Sequence, residues 1–175
     1  ASVIKTLIYK MDAEGSDLPR IVLALHNSNQ LLTQLTCQEM YATGVAIILD
    51  KEKNVISVLD YGHGYVWLKR GSSVHRLSAH IKHAMAVPFL GIHDDLQMPA
   101  GHFLVQNNDV IFACSDGLIE QKNDQREDYG VQRLRNLLRR VSLESPRQIN
   151  ETILEDFNMH IAGSRRSDDL SMLCI

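Results

Sequence analysis

Cysteine is scarce in this chain of 175 residues, and its scarcity limits the kinds of protein the chain can be. The three cysteines, Cys37, Cys114 and Cys174, are odd in number and form no Cys-x-x-Cys pair. This pattern argues against a disulfide framework and for a reducing compartment. Cys114 and Cys174 lie in apolar, strand-like runs, which predicts small buried hydrophobic residues without a redox role.

Long apolar runs and a large charge of one sign are also missing. No apolar run approaches the roughly 18 residues needed to span a bilayer, and the first residues lack a signal-peptide pattern. A formal net charge of -3 gives no reason to expect nucleic acid as a partner. Because 45% of the residues are hydrophobic and 22% charged, we expect a soluble globular protein, and the cysteine pattern favours the cytoplasm. Its length suits a single domain, residues 1–175, with no transmembrane segment in this portion.

The spacing of hydrophobic residues divides the chain into helical and strand-like stretches. Helical spacing predicts four helices: Ile4–Met11, a second after Asp17, a third from Val131 and a fourth after Ser145-Pro146. Short apolar runs bounded by turn residues predict strands, which in chain order span 45–49, 55–59, 65–68, 74–77, 103–105, 110–114 and 170–175. The first two runs form the clearest hairpin, and the turn-rich connector 106–109 predicts that its flanking strands are antiparallel neighbours. Paired helices outside consecutive strands favour the α+β class.

Two acidic segments stand next to strand-like runs. The run 110–114 leads into Asp116, and the last run of the chain leads away from Asp168 and Asp169. Carboxylates are costly to bury unpaired, so at strand ends they tend to meet a hard cation and its waters. The pattern therefore indicates a Mg²⁺ or Mn²⁺ site. Taken singly, each segment also fits an ordinary alternative, a turn at Asp116-Gly117 and a solvated loop end at Asp168-Asp169.

The order of five short segments makes the interpretation more specific. They are, along the chain, Tyr61-Gly62-His63-Gly64, Phe89-Leu90-Gly91-Ile92, Ser115-Asp116-Gly117-Leu118-Ile119-Glu120, Glu127-Asp128-Tyr129-Gly130 and Asp168-Asp169-Leu170-Ser171. This series resembles the bacterial branch of the metal-dependent serine/threonine protein phosphatases (type 2C, PPM), which includes stage II sporulation protein E and the sigma-B regulator phosphatases. The likeness runs from about residue 43 to the end of the chain.

The resemblance implies a fold, a site and a substrate class. The fold would be a PPM phosphatase-like β-sandwich of two mostly antiparallel sheets flanked by helical pairs. Asp116 and Asp168 would be ligands of two Mn²⁺ or Mg²⁺ ions, and Asp169 would orient its neighbour, although the roles of Asp168 and Asp169 could be reversed. The substrate would be a phosphorylated regulatory protein of the anti-anti-sigma type in bacterial partner switching. The alternative is an inactive phosphatase-like module that docks a regulatory partner.

One departure from the family pattern is large. The family's Gly-Gly-Asp-Phe-Tyr-Asp and Asp-x-x-Gly-His-Gly segments, which supply the bridging carboxylate and a carbonyl ligand, do not occur here. We therefore expect the carboxy-terminal portion of a longer phosphatase, with an upstream sensor domain possible. This portion alone is expected to be inactive and to bind metal poorly. An uncovered sheet edge or apolar face is expected to favour self-association or strand exchange between copies.

Four further patterns are expected to be ordinary structure. His63 is predicted to fix a turn rather than to act in catalysis. A zinc site is not expected at His75, His80 and His83, because no cysteine or second carboxylate lies at suitable spacing. Asp94 and Asp95 are predicted to lie in a solvated loop. The arginines at positions 133, 135, 139 and 140 are predicted to solvate a helix.

Overall fold

The computed structural model of the chain describes residues 18–36, 41–81, 89–93, 100–141 and 145–175. The predicted helix Ile4–Met11 and the residues Cys37, His83, Asp94 and Asp95 lie outside this described part. The elements are α1 (Leu18–Thr36), β1 (Gly44–Asp50), β2 (Val55–Tyr61), β3 (Val66–Arg70), β4 (Ser73–Arg76), β5 (Ala100–Leu104), β6 (Val110–Cys114), α2 (Asp116–Ile119), α3 (Val131–Arg140), α4 (Pro146–Ile161) and β7 (Met172–Cys174).

The chain divides into two compact units. Unit 1 comprises Ala1–Gly64 and Ser78–Val105, and unit 2 comprises Tyr65–Leu77 and Gln106–Ile175. Each unit holds one sheet, ordered β1-β2-β5 in unit 1 and β4-β3-β6-β7 in unit 2, and all strand pairs are antiparallel. The predicted α+β class with two antiparallel sheets is confirmed. A single domain over residues 1–175 stays a prediction. Within the described residues, no helix has the length and apolar character to cross a membrane.

Unit 1 is built on the predicted hairpin. Strands β1 and β2 pair in register from Gly44 opposite Tyr61 to Asp50 opposite Val55. Helix α1 packs its apolar side on this hairpin, where the buried residues are Ala46, Leu59 and Tyr61 and the helix contributes Leu18, Ile21, Val22 and Leu25. Spacing of three and four residues places such side chains on one helical face, which is why the sequence pattern located α1 correctly.

Unit 2 has an extensive apolar core on its sheet. Trp67 of β3 and Phe112 of β6 lie opposite each other in the sheet and are almost fully buried. Helices α3 and α4 cover this sheet, and their buried side chains belong to the same core. These side chains are Leu134, Leu138, Ile149, Ile153, Phe157 and Ile161. Helix α4 begins as predicted, because Ser145 accepts a hydrogen bond from the Gln148 amide at 3.2 Å and Pro146 occupies the first turn.

The predicted pairing of the strands on either side of 106–109 is wrong. Strand β5 pairs with β2, whereas β6 pairs with β3 and β7 in the other sheet. All five residues of β6 are buried, and such a strand requires neighbours on both sides. The connector does form a turn, in which Asp109 accepts from the Gln106 amide at 2.8 Å and binds Arg70 through two hydrogen bonds. The prediction of a turn is therefore correct, but this turn connects a strand of one sheet to a strand of the other.

Arg133 does more than solvate its helix. Its guanidinium donates two hydrogen bonds to Asp156 of α4, at 2.8 and 3.0 Å, and lies over the ring of Tyr129. The Tyr129 hydroxyl donates to the same carboxylate at 2.8 Å. These contacts fasten α3 and the preceding loop to α4.

The Arg133–Asp156 pair predicts a pH-dependent contribution to stability. The hydrogen-bonded Arg133 guanidinium lowers the pKa of Asp156 below its usual value. The stabilisation is therefore complete above the unfolded pKa, near 3.9, and is lost as the pH falls through the lower folded pKa. We expect Asp156→Asn to lower the free energy of unfolding by about 1 kcal/mol at pH 7, since solvent screens the half-exposed arginine.

Urea unfolding of wild type and Asp156→Asn between pH 2 and 7 measures this effect. The difference between the two proteins should shrink below about pH 4. Glu155→Gln, at an exposed neighbouring position, serves as the control and should follow the wild type throughout. A difference that does not vary with pH would contradict the assignment to this ion pair.

Candidate metal centre

The first acidic segment lies where β6 ends. The chain leaves the buried strand at Cys114, passes through Ser115 in an extended conformation and enters α2 at Asp116. Asp116 is half-buried between the buried residues Ser115 and Gly117. Its Oδ1 atom accepts a hydrogen bond from the Gly117 amide at 2.9 Å, which orients the carboxylate. A carboxylate is thus held where a fully buried strand meets the end of the sheet.

The second acidic segment precedes β7. Asp168 and Asp169 are exposed, and Asp168 Oδ1 accepts from the Asp169 amide at 2.8 Å. Strand β7 runs antiparallel to β6, with Met172 opposite Cys114. Because the start of one antiparallel strand lies beside the end of its neighbour, the sheet brings the two acidic segments to the same edge.

Ser115 joins the two segments directly. Its amide donates to the Ser171 carbonyl at 2.9 Å, and its hydroxyl accepts from the Ser171 amide at 3.0 Å. The same hydroxyl donates to the Asp169 carbonyl at 3.0 Å. Because only 1% of Ser115 is exposed, loss of these part-buried hydrogen bonds would leave its own buried polar groups unpaired.

Gly117 shows how close the two segments lie. A Cβ atom at this position would collide with the Asp169 backbone carbonyl, so only glycine fits there without movement of the backbone. The Asp-Gly pair at Asp116 is therefore more than a common turn dipeptide. Its glycine allows the chain before β7 to pack against the start of α2.

The three aspartates lack cationic partners in the described part of the chain. No lysine, arginine or histidine there forms an ion pair with Asp116, Asp168 or Asp169. Their assigned hydrogen bonds come from backbone amides, Gly117 to Asp116 and Asp169 to Asp168. A bound cation would supply the counter-charge that these carboxylates lack among the described residues.

Cys114 contributes packing rather than chemistry. Burial, reinforced by the nearby negative charge of Asp116, raises the pKa of the Cys114 thiol well above its usual value. Burial also raises the pKa of Cys174 to about 11. Both thiols therefore stay protonated at neutral pH and are poor nucleophiles and metal ligands. Cys114 is buried as predicted, whereas Cys174 is half-buried in β7.

The donor atoms of this edge suit a hard divalent cation, but they form only part of a coordination shell. Carboxylate oxygens are the ligands that Mg²⁺ and Mn²⁺ prefer, and Mg²⁺ commonly uses one or two carboxylates together with waters and phosphate oxygens. In the described residues, no three histidine, cysteine or acidic side chains come together as a metal-binding group. The arrangement thus fits a metal that takes its remaining ligands from water, phosphate or other groups.

The turn at Gly62-His63-Gly64 belongs to unit 1 and depends on a residue that the sequence analysis missed. The buried Asp60 carboxylate accepts hydrogen bonds from the His63 amide at 2.8 Å and the Gly64 amide at 3.0 Å. Gly62 and Gly64 have φ values of 77° and 74°, which favour glycine. An aspartate three residues before the turned amides was the available signal. A turn-fixing role for the His63 imidazole stays a prediction.

The roles of two buried polar residues next to the acidic segments were also missed. Ser115 and Gln121 are both almost completely buried, and both bind the segment that carries Asp168 and Asp169. The signal available for each was weak. A single serine or glutamine beside an apolar run does not reveal its distant hydrogen-bond partner.

With two antiparallel sheets, helices and acidic segments that meet at the end of β6, the chain has the PP2C-type phosphatase fold of solved structures that it resembles. A family model described as stage II sporulation protein E (SpoIIE) matches residues 1–175, and the chain belongs to that family. A comparison with curated protein sequences finds no relative of this chain.

Solved structures of low sequence identity share the fold. The phosphatase domain of the cell fate determinant SpoIIE from Bacillus subtilis is 14% identical with a TM-score of 0.63, covering 95% of this chain and 76% of that one. The SiaA PP2C domain of Pseudomonas aeruginosa is 13% identical with a TM-score of 0.70, and the match covers 86% of this chain and 58% of that one. PppA, a key regulatory component of the T6SS in Pseudomonas aeruginosa, is 20% identical with a TM-score of 0.57, and the match covers 93% of this chain and 73% of that one.

Proposed function

We propose that this chain carries part of the catalytic metal centre of a metal-dependent serine/threonine protein phosphatase. The observation that carries the proposal is the contact between the two acidic segments, where Ser115 and Gly117 hold Asp116 beside Asp168 and Asp169 without a cationic partner in the described residues. Membership of the SpoIIE family supports the same reaction class. Carboxylates without cationic partners at one sheet edge are the oxygen ligands that a hard divalent cation binds.

The roles of the residues follow from their positions. Bound Mn²⁺ or Mg²⁺ would neutralise the phosphate and supply an activated water. Asp116, held rigidly by α2 and β6, is the anchoring ligand. Asp168 is the second ligand, and Asp169, whose carbonyl accepts the Ser115 hydroxyl, orients the loop around it. An exposed loop at this position leaves room for a phosphorylated protein to approach.

The proposed substrate is phosphoserine or phosphothreonine on a small regulatory protein of the anti-anti-sigma type. Support comes from the family and from two of the structural relatives, which are described as a cell fate determinant and as a regulatory component of the T6SS. Comparing hydrolysis of the folded phosphoprotein with that of a phosphopeptide of the same local sequence tests this assignment. A preference for the folded protein would support it, and equal rates would contradict it.

Metal binding should raise the melting temperature of the full-length protein. At a Mn²⁺ concentration 100 times its dissociation constant, linkage contributes about 2.7 kcal/mol. That corresponds to a rise of roughly 5 to 10 °C for a protein of this size class. In the double variant Asp116→Asn/Asp168→Asn the rise should disappear, because the ligands have lost their charge.

A scanning-calorimetry titration with Mn²⁺ measures both proteins. The control is Asp124→Asn/Asp128→Asn, which removes the same charge from an exposed loop of unit 2 and should keep the full rise. Equal stabilisation of wild type and the Asp116/Asp168 double variant would place the ion elsewhere. Stabilisation by metal without any hydrolysis of phosphoprotein would favour the alternative, a phosphatase-like module that docks its partner.

A further inference from the structure

Gln121 is a buried polar residue with a full set of hydrogen bonds. It follows α2 closely, and only 2% of it is exposed. Its Nε2 atom donates to the carbonyls of Lys122 at 2.9 Å and Arg165 at 3.3 Å. Its Oε1 atom accepts from the Ser167 amide at 2.9 Å and the Ser167 hydroxyl at 3.2 Å.

Three of these four hydrogen bonds go to the segment directly before Asp168. Residues 165–169 are all exposed, so apolar packing does little to fix their backbone. Gln121 holds the segment at Arg165 and Ser167, and Ser115 holds it on the other side at Asp169 and Ser171. Asp168 therefore lies between two anchors, both of which belong to the chain around Asp116.

Gln121 is itself held in place. Its carbonyl accepts the Tyr129 amide at 2.9 Å, and the neighbouring Ile119 carbonyl accepts the Gly130 amide at 2.9 Å. Tyr129 in turn packs into the core against Phe157. The position of the Gln121 side chain is thus fixed by the core of unit 2, which makes it a rigid support for an exposed loop.

We propose that Gln121 is a positioning residue that sets the Asp168 carboxylate relative to Asp116 and thereby tunes metal affinity. The inference rests on the proposed function, because it assigns Asp168 to the metal. A residue that orients a ligand loop without touching the ion commonly changes metal affinity by about ten- to a hundredfold when it is replaced. An apolar side chain of similar length would fill the same space and lose all four hydrogen bonds.

The test uses Gln121→Met in the full-length protein, with a phosphoserine peptide as substrate. The Mn²⁺ concentration for half-maximal activity should rise about ten- to a hundredfold. At saturating Mn²⁺, kcat should stay within about threefold of wild type, because the ligands themselves are intact. The control for a loss of stability is Tyr129→Phe, which loses the part-buried hydrogen bond to Asp156, keeps its backbone hydrogen bond to Gln121 and should leave the Mn²⁺ requirement unchanged.

A second measurement does not depend on activity. Amide hydrogen exchange at Ser167 in the metal-free protein should be at least about tenfold faster in Gln121→Met, since the amide loses its acceptor. Exchange at Phe112, in the core of the sheet, should not change. Should Gln121→Met fail to fold, Ser167→Ala removes only the hydroxyl bond and should raise the Mn²⁺ requirement by about two- to fivefold.

The possible results distinguish a failure of the positioning role of Gln121 from a failure of the proposed phosphatase function. An active wild type with an unchanged Mn²⁺ requirement in the folded variant overturns the positioning role and leaves the phosphatase intact. A wild type without Mn²⁺-dependent hydrolysis overturns the proposed function and the metal role of Gln121 with it. Unchanged exchange at Ser167 overturns the inference in either case.

Discussion

Asp116→Asn in the full-length protein is expected to lower Mn²⁺-dependent hydrolysis of a phosphoserine peptide at least about a hundredfold, while the fold stays intact. Asparagine has the same shape and can still accept the Gly117 amide through its oxygen, so the start of α2 should be preserved. What is lost is the negative charge that holds the cation. Asp168→Asn should have an effect of the same order, although this residue is exposed.

Steady-state kinetics over a range of Mn²⁺ concentrations, together with circular dichroism, measures this prediction. Asp128→Asn is the matched control, because its carboxylate pairs with Lys122 on the exposed surface of the same unit. It should retain nearly full activity. Near-normal hydrolysis by Asp116→Asn and Asp168→Asn at all Mn²⁺ concentrations would remove both residues from the metal site.

Local patterns in the sequence located most of the secondary structure. Helix α4 was predicted from Ser145-Pro146 and from its apolar spacing, and its cap and buried face are both present. The hairpin of β1 and β2 was predicted from two strand-like apolar runs about a polar turn, and the two strands do pair. These features depend on residues a few positions apart, where side-chain periodicity and capping decide the structure.

Pairing over long distances was not predictable in the same way. The turn at 106–109 was recognised, but nothing within it reveals that β6 pairs with β3 and β7. The fully buried character of β6 was a signal for a central strand, because an edge strand would alternate. Which strands lie beside it depends on packing across the whole unit.

In the candidate site too, local features were predictable from the sequence and long-range contacts were not. Asp116, Asp168 and Asp169 were identified from acidic residues at strand ends and from a family resemblance, and the structure brings their segments to one sheet edge. The roles of Ser115 and Gln121, which hold these segments together, were not identified. Their hydrogen bonds join residues more than 40 positions apart, so no local pattern encodes them. The ligand roles of the three aspartates stay predictions.

Gly117→Ala is expected to have an effect on activity as large as that of losing a ligand. The added Cβ atom collides with the Asp169 carbonyl, which belongs to the backbone and cannot rotate away. The segment carrying Asp168 and Asp169 must therefore move, and the Ser115 hydrogen bonds on that segment lengthen with it. We expect a loss of about 1–3 kcal/mol in the free energy of unfolding. Hydrolysis should fall at least about a hundredfold, because displacing a catalytic group by about 1 Å has that effect.

The control variant Gly163→Ala introduces backbone strain without a collision that would displace the segment carrying Asp168 and Asp169. Gly163 has a φ of 99°, so alanine is strained there, but an added Cβ atom meets nothing within 4 Å. It should therefore lose about 1–3 kcal/mol of stability and keep its activity. Urea unfolding and phosphopeptide kinetics on both variants provide the comparison. Equal activity in two equally destabilised proteins would show that the contact between Gly117 and Asp169 does not set the geometry of the site.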